Sequence, residues 1–128
     1  MTQTYDRVTG LKSCVVGTRD GQRRKLYILE SAGVWLEDIG GARVQDGKAD
    51  VELDPLFLET LHVDDTHPLR IQIAPTSALG CFWVEKHARG FTLHAERVRG
   101  SFDWRVQGKR KGCEDVRMEA AAAKRGRE

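Results

Sequence analysis

The sequence predicts an all-β protein built mainly of antiparallel hairpins, with about eight short strands and one short helix. Glycine supplies 13 of the 128 residues, more than the average of about 7%, and this excess favours a turn-rich β protein. The pairs Asp20-Gly21 and Asp46-Gly47 each separate two short apolar runs, as the turn of a β-hairpin does. Apolar and polar residues alternate along residues 69–73 and 101–107, as in strands with one buried face.

The predicted strands are short and come mostly in pairs. The first hairpin joins 12–18 to 25–30, and the strand at 34–38 is expected to end at the break Gly40-Gly41. The remaining predicted strands cover residues 42–44, 49–53, 69–73, 81–86, 91–96 and 101–107. In the last of these, Phe102, Trp104 and Val106 share one face.

One segment, residues 54–61, has helical rather than strand signals. Asp54 suits the N-cap and Pro55 the first helical position, and Phe57 lies four residues before Leu61. We predict a single β-rich module over residues 1–119. The charged, Ala-rich tail at 120–128 is too short to form a stable helix alone, so we expect it helical only against a partner, and otherwise frayed.

Composition excludes several classes of protein. No apolar run approaches the roughly 20 residues of a membrane-spanning helix, and the N-terminus lacks the apolar stretch of a signal peptide. Cys14, Cys81 and Cys113 are far apart, which fits small reduced thiols rather than a disulfide scaffold or a clustered metal site. We therefore expect no membrane association, no cofactor and no metal.

The sequence gives only weak support for a catalytic site. His62 and His67 bracket Asp64-Asp65, a set that suggests a metal site or an acid–base pair. However, they fall in a predicted loop, where such side chains mostly meet water. The histidines have no matching Ser or Cys nucleophile motif, and the sequence contains no Gly-rich phosphate loop. We predict no catalytic residues.

The aromatic residues and the basic tract Lys109-Arg110-Lys111 raise the question of nucleic-acid binding. At strand spacing, aromatic residues usually pack in a core. The basic tract comes where the apolar alternation stops, and Glu114-Asp115 follows it and would oppose phosphate binding. We interpret the tract as a solvated strand end and expect no nucleic-acid partner.

Several stretches together resemble a β-rich C-terminal module of bacterial and phage tail-fibre-like proteins and related surface or particle proteins. That module typically carries V-W-F-E-D-F-G, V-x-L-D-P-x-F, G-F-E-V-R-E and F-x-Y-R-V-x-A-K-R-K-G-Y-E-D-x-R-L. The corresponding stretches here, in the same order, are V-W-L-E-D-I-G, V-E-L-D-P-L-F, G-F-T-L-H-A-E and F-D-W-R-V-Q-G-K-R-K-G-C-E-D-V-R-M. The resemblance runs from about residue 10 to residue 119. Two departures are Cys81-Phe82-Trp83-Val84 in place of G-L-Y-V, and Cys113 in place of Tyr.

The resemblance implies a non-enzymatic structural or assembly protein of a phage or phage-like particle: a fibre tip, a spike or a capsid-decorating unit. Its expected partners are other copies of itself, most simply as a homotrimer, and other proteins of the particle. We expect synthesis in the bacterial cytoplasm without a signal peptide, and then a place in the particle.

Two groups of residues follow from this interpretation. Those expected in the core or in subunit contacts are Trp35, Leu53, Phe57, Ile71, Ile73, Phe102, Trp104 and Val106. Those expected in partner-facing loops are Asp20, Arg23, Asp46, Asp64, Asp65, His67, His87 and Arg89. Two alternatives stay open: a carbohydrate- or cell-surface-binding module with Trp83 or Trp35 exposed, and a small enzyme using His62, Asp64, Asp65 and His67.

Overall fold

The computed structural model describes residues 3–7 and 10–123. Residue contacts divide the chain into two compact units, one of which is the segment 33–118. The other contains the residues up to Ala32 together with those from Glu119 onwards. The single module predicted over residues 1–119 stays a prediction.

The first unit contains a three-stranded antiparallel sheet in the order β1-β2-β3. Its strands are β1 (Gln3–Tyr5), β2 (Lys12–Gly17) and β3 (Arg23–Tyr27). The predicted hairpin at Asp20-Gly21 joins β2 to β3, with Ser13 opposite Tyr27 and Gly17 opposite Arg23. Asp20 stabilises the turn by accepting hydrogen bonds from the Thr18 hydroxyl and the Gln22 amide. β1 was not predicted, because three polar-flanked residues carry too little alternation to identify a strand.

The second unit begins with β4 (Trp35–Val44) and contains two sheets. The first sheet is centred on β10 (Gly100–Arg110), which pairs antiparallel with β4 along its whole length. On its other side β10 pairs with β7 (Arg70–Pro75) and then with the two-residue strand β6 (Leu61–His62). The last of the described strands, β10, is therefore the central strand of this sheet.

The second sheet has the order β5-β9-β8. Its strands are β5 (Lys48–Glu52), β8 (Phe82–His87) and β9 (Gly90–Ala95), with β8 and β9 forming the predicted hairpin. The two sheets share one core, where the ring of Phe91 meets that of Trp104 edge-on at 6.1 Å. The buried apolar residues of this core are Val44, Ala49, Val51, Leu53, Leu61, Leu69, Leu79, Phe91, Leu93, Phe102 and Val106.

The predicted helix is present as α1 (Pro55–Glu59). Asp54 is its N-cap and its Oδ1 accepts the amide of Leu56 at 2.8 Å, while Pro55 needs no amide partner at the start of a helix. Phe57 and Leu58 are half-buried against the core. Leu61, predicted to close the helix, instead begins β6 and is buried there.

The predicted break at Gly40-Gly41 is wrong, since β4 runs through both glycines. Neither has a positive φ, so neither makes a turn. Gly40 lies opposite Trp104, and a Cβ there would lie 2.4 Å from Cζ2 of the indole. Glycine is therefore needed at position 40 to admit the tryptophan ring.

The second Asp-Gly turn is present but does not make the expected hairpin. Asp46 and Gly47 have positive φ values of 54° and 79°, and Gln45 and Lys48 exchange backbone hydrogen bonds. Beyond that bridge β4 pairs with β10 while β5 pairs with β9. The turn is the corner at which the chain passes from one sheet to the other.

The basic tract lies partly inside a strand. Lys109 and Arg110 are the last residues of β10, and only Lys111 follows the strand. Lys109 is half-buried, with Nζ 4.4 Å from the centroid of the Trp35 ring, a cation–π arrangement. The tract is therefore not a uniform solvated end.

Among the described residues, no helix is long and apolar enough to cross a membrane. Residues 120–123 of the tail form no regular structure, and the rest of the tail prediction lies outside the described residues.

Candidate functional site

Most of the residues expected in the core or in subunit contacts lie in or against the core of the second unit. Leu53, Phe102 and Val106 are buried, and Phe57, Ile71, Ile73 and Trp104 are half-buried against them. Trp35 differs: it pairs with Lys109, on the face of the sheet opposite to Phe102 and Val106. Its indole packs against the Lys109 ammonium rather than in the core.

The residues expected in loops lie at turns and strand ends. Asp20, Arg23, Asp46, Asp64, Asp65, His87 and Arg89 are exposed. His67 is the exception, because it is half-buried and both of its ring nitrogens contact carboxylates. The structure therefore places His67 in a cluster with Asp64 and Asp115.

The cluster is built on a short loop held at both ends by buried leucines. Leu61 and Leu69 lie in the core, and the loop between them brings His62 and His67 to the carboxylate of Asp64. The amides of Thr66 and His67 both donate to Asp64 Oδ1, at 3.0 and 2.8 Å. These bonds fix the orientation of the carboxylate.

Each histidine directs one ring nitrogen at Asp64. His62 Nε2 lies 2.7 Å from Asp64 Oδ2, and His67 Nδ1 lies 2.8 Å from Asp64 Oδ1. The two imidazole rings are nearly perpendicular, with centroids 5.1 Å apart. One ligand atom from each of the three residues lies within 4.8 Å of the others.

The outer ring nitrogens face a second pair of carboxylates, on the turn that follows β10. His67 Nε2 lies 2.9 Å from Asp115 Oδ1, and His62 Nδ1 lies 3.7 Å from Glu114 Oε1. Glu114 is itself held by the amide of Gly112. The loop and the turn thus meet through two histidines, each between two carboxylates.

The electrostatics of the cluster follow from these contacts. Hydrogen bonding to Asp115, and next to Asp64, raises the pKa of His67 above its usual value. Hydrogen bonds from His62 and then His67 hold the pKa of Asp64 well below its usual range. Asp65, the fourth residue of the sequence-based enzyme hypothesis, is not part of the group.

A second feature is an exposed, partly apolar face on the β1-β2-β3 sheet. By strand alternation and register, Tyr5, Cys14, Val16, Leu26 and Ile28 share one face of it with Lys12 and Arg24; we name this the Leu26 face. Tyr5 is 59% exposed and Leu26 54%. Among the described residues, the buried apolar core lies entirely in the other unit.

A third feature is Trp83 on β8, which is 58% exposed. Its indole stacks on the ring of His94 across the strand pair, at 4.1 Å and 12°. His94 Nε2 in turn lies 2.8 Å from Glu85 Oε1. An exposed, oriented indole beside a carboxylate is a platform of the kind that stacks on flat ligands.

Comparisons with protein families, with curated protein sequences and with solved structures give no match for this chain.

Proposed function

We propose that the chain is a non-enzymatic structural module that self-associates as part of a phage or phage-like particle. The observation that supports it most is the Leu26 face, on which the large apolar side chains Tyr5 and Leu26 are more than half exposed. The resemblance of residues 10–119 to the modules of tail-fibre-like proteins supports the particle context. A homotrimer is the assembly that this resemblance implies.

Burying the exposed apolar side chains of the Leu26 face in a subunit contact would stabilise the assembly. Fully burying a large apolar side chain contributes about 1.5–3 kcal/mol, so covering a half-exposed Leu26 or Tyr5 contributes roughly 1 kcal/mol each. A three-stranded sheet needs such packing to be stable. The sheet order leaves β1 and β3 as edges, which a second copy of the same sheet could pair.

A matched pair of variants tests the proposal. Leu26 and Tyr27 are adjacent and similarly exposed, 54% and 57%, but they lie on opposite faces of β3. Leu26→Asp should convert the oligomer to monomers in light scattering, whereas Tyr27→Asp should leave its mass unchanged. A wild-type chain that is monomeric at micromolar concentration would remove the proposal's main support.

The particle context needs its own experiment. Mass spectrometry and immunogold electron microscopy of purified particles from the source bacterium should detect the chain at a fixed copy number. Its absence from every particle fraction, despite expression in the cells, would refute that part of the proposal while leaving self-association open.

A carbohydrate-binding module is the second candidate, because Trp83 is exposed as that function requires. A sugar ring would stack on the indole, with Glu85 as a hydrogen-bond acceptor nearby. A glycan array should then show hits that Trp83→Ala abolishes. An array without hits would exclude the glycans tested.

A further inference from the structure

The cluster of His62, Asp64 and His67 brings three potential metal ligands together. A neutral imidazole carries one N–H, so it can donate from only one of its two nitrogens. Both nitrogens of His67 contact carboxylate oxygens, at 2.8 and 2.9 Å. With the outer nitrogen donating to Asp115, the inner lone pair can bind a metal ion that the Asp64 carboxylate also ligates.

The surrounding charges also favour a bound cation. Asp64, Glu114 and Asp115 bring three carboxylates to the two imidazoles. Within residues 3–7 and 10–123, the ion pairs formed by Lys and Arg involve none of the three. Lys109 lies opposite His62 in the pairing of β10 with β6, but its Nζ lies over the Trp35 ring.

We propose that His62 Nε2, His67 Nδ1 and the Asp64 carboxylate bind a divalent first-row transition metal ion, with Zn²⁺ as the ion best matched to these ligands. Bonds of about 2.0–2.2 Å to His nitrogen and Asp oxygen set ligand atoms roughly 3–4 Å apart. One ligand atom from each of the three residues already lies within 4.8 Å of the others. Small side-chain rotations would complete the three bonds.

Glu114 and Asp115 then have a defined role outside the coordination sphere. Histidine ligands of metals commonly donate their second N–H to a carboxylate, which fixes the tautomer and the ring orientation. Asp115 meets His67 Nε2 in that position, and Glu114 approaches His62 Nδ1. The metal would thereby tie the 62–68 loop to the turn after β10. This proposal does not depend on self-association.

Direct titration of the full-length chain tests the site. We expect isothermal titration calorimetry to show one Zn²⁺ per chain, and Mg²⁺, which prefers all-oxygen ligands, not to compete. Co²⁺ should give visible d–d bands without the near-ultraviolet charge-transfer band of thiolate ligation. Zinc should also raise the melting temperature, and a chelator should reverse the rise.

The chain offers closely matched variants. Asp64→Asn should weaken Zn²⁺ binding more than the roughly 10–100-fold expected for the outer carboxylate variant Asp115→Asn. Asp65→Asn, one residue away but outside the group, should change the affinity by less than about twofold. Cys113→Ser should also leave it unchanged.

The outcomes separate clearly. Equal effects of Asp64→Asn and Asp65→Asn, loss of binding with Cys113→Ser, or no zinc binding by the wild type would each overturn the proposal. If a variant fails to fold, the wild-type chain still decides the question by NMR. Zinc should shift the ring-nitrogen resonances of His62 and His67 but not those of His94, which pairs with Glu85 alone.

Discussion

Gly40 and Trp104 give the sharpest test of how the central sheet is packed. The two residues are directly opposite on β4 and β10. A Cβ at position 40 would lie 2.4 Å from Cζ2 and 2.7 Å from Cε2 of the indole, far inside van der Waals contact. Gly40→Ala must therefore displace the ring, and overpacking of this kind costs about 1–3 kcal/mol.

A second contribution to the free energy of unfolding opposes this steric cost. Replacing Gly by Ala where the backbone permits it stabilises a protein by about 0.4–1 kcal/mol through the unfolded chain, and Gly40 has no positive φ. In the wild type the steric cost should exceed this gain. In a Trp104→Ala background the ring is gone, so Gly40→Ala should become neutral or stabilising.

Trp104→Ala alone should cost about 3 kcal/mol, the low end for a buried aromatic residue, because Trp104 is only half-buried. The two substitutions should then be coupled by about 1–3 kcal/mol in a double-mutant cycle, as expected for residues in contact. Urea unfolding followed by far-ultraviolet circular dichroism measures all four free energies.

Gly41→Ala is the matched control. A Cβ there would meet only Asp103 Oδ1 at 3.3 Å and the Phe102 carbonyl at 3.5 Å, and the Asp103 side chain is exposed and free to adjust. We expect a change within about 0.5 kcal/mol. Similar costs at both glycines, or a Gly40→Ala cost that persists without the indole, would refute the packing argument.

Three further predictions concern charged residues. Lys109→Gln should lower the free energy of unfolding by about 0.5–1 kcal/mol, because it loses the cation–π contact with Trp35. Arg110 and Lys111 are exposed, so Arg110→Gln and Lys111→Gln should each change the free energy of unfolding by no more than about 0.5 kcal/mol. Equal urea midpoints for the three variants would contradict this prediction. Replacing all three should not alter binding to a random DNA duplex, and salt-sensitive binding lost in the triple variant would show that the tract contacts phosphate. The Cys81 amide donates to the Glu96 carboxylate and holds the pKa of Glu96 below the usual 4.5. The stabilisation that this contact gives the folded state is therefore present above the usual pKa and is lost as the pH falls through the folded-state pKa. The wild type should therefore lose more stability than Glu96→Gln on acidification below about pH 5, and parallel curves of urea midpoint against pH would argue against the contact.

The fold class was predictable because it depends on local patterns. Alternation in 101–107 and the turn at Asp20-Gly21 identify strands and a hairpin from a few residues each. The role of Gly40 could not be predicted from its neighbours in sequence. The missing side chain makes room for the indole of Trp104, 64 positions later in the chain, and the residues beside Gly40 do not distinguish this role from a turn. The Asp46-Gly47 turn was recognised, but the separation of its two strands is decided by their partners β9 and β10.

The candidate metal site was partly visible in sequence. The spacing of His62, Asp64 and His67 suggests a metal site, although side chains in a polar loop mostly meet water. Two tertiary contacts bring the cluster together: β6 pairs with the end of β10, and Asp115 contacts His67 across 48 positions. A two-residue strand has no periodicity to detect, so single-sequence reasoning could not bring these residues together.

The position of β10 has a consequence for how the chain folds as it is synthesised. β4 and β7 precede β10 in the chain, and both pair with it. Until residues 100–110 leave the ribosome, the edges of β4 and β7 that β10 covers stay unpaired. Pairings this distant in sequence form slowly, and exposed edges invite aggregation in the meantime. The first sheet therefore cannot close before β10 emerges, and its yield in the cell depends on how well the waiting strands are kept apart from other chains.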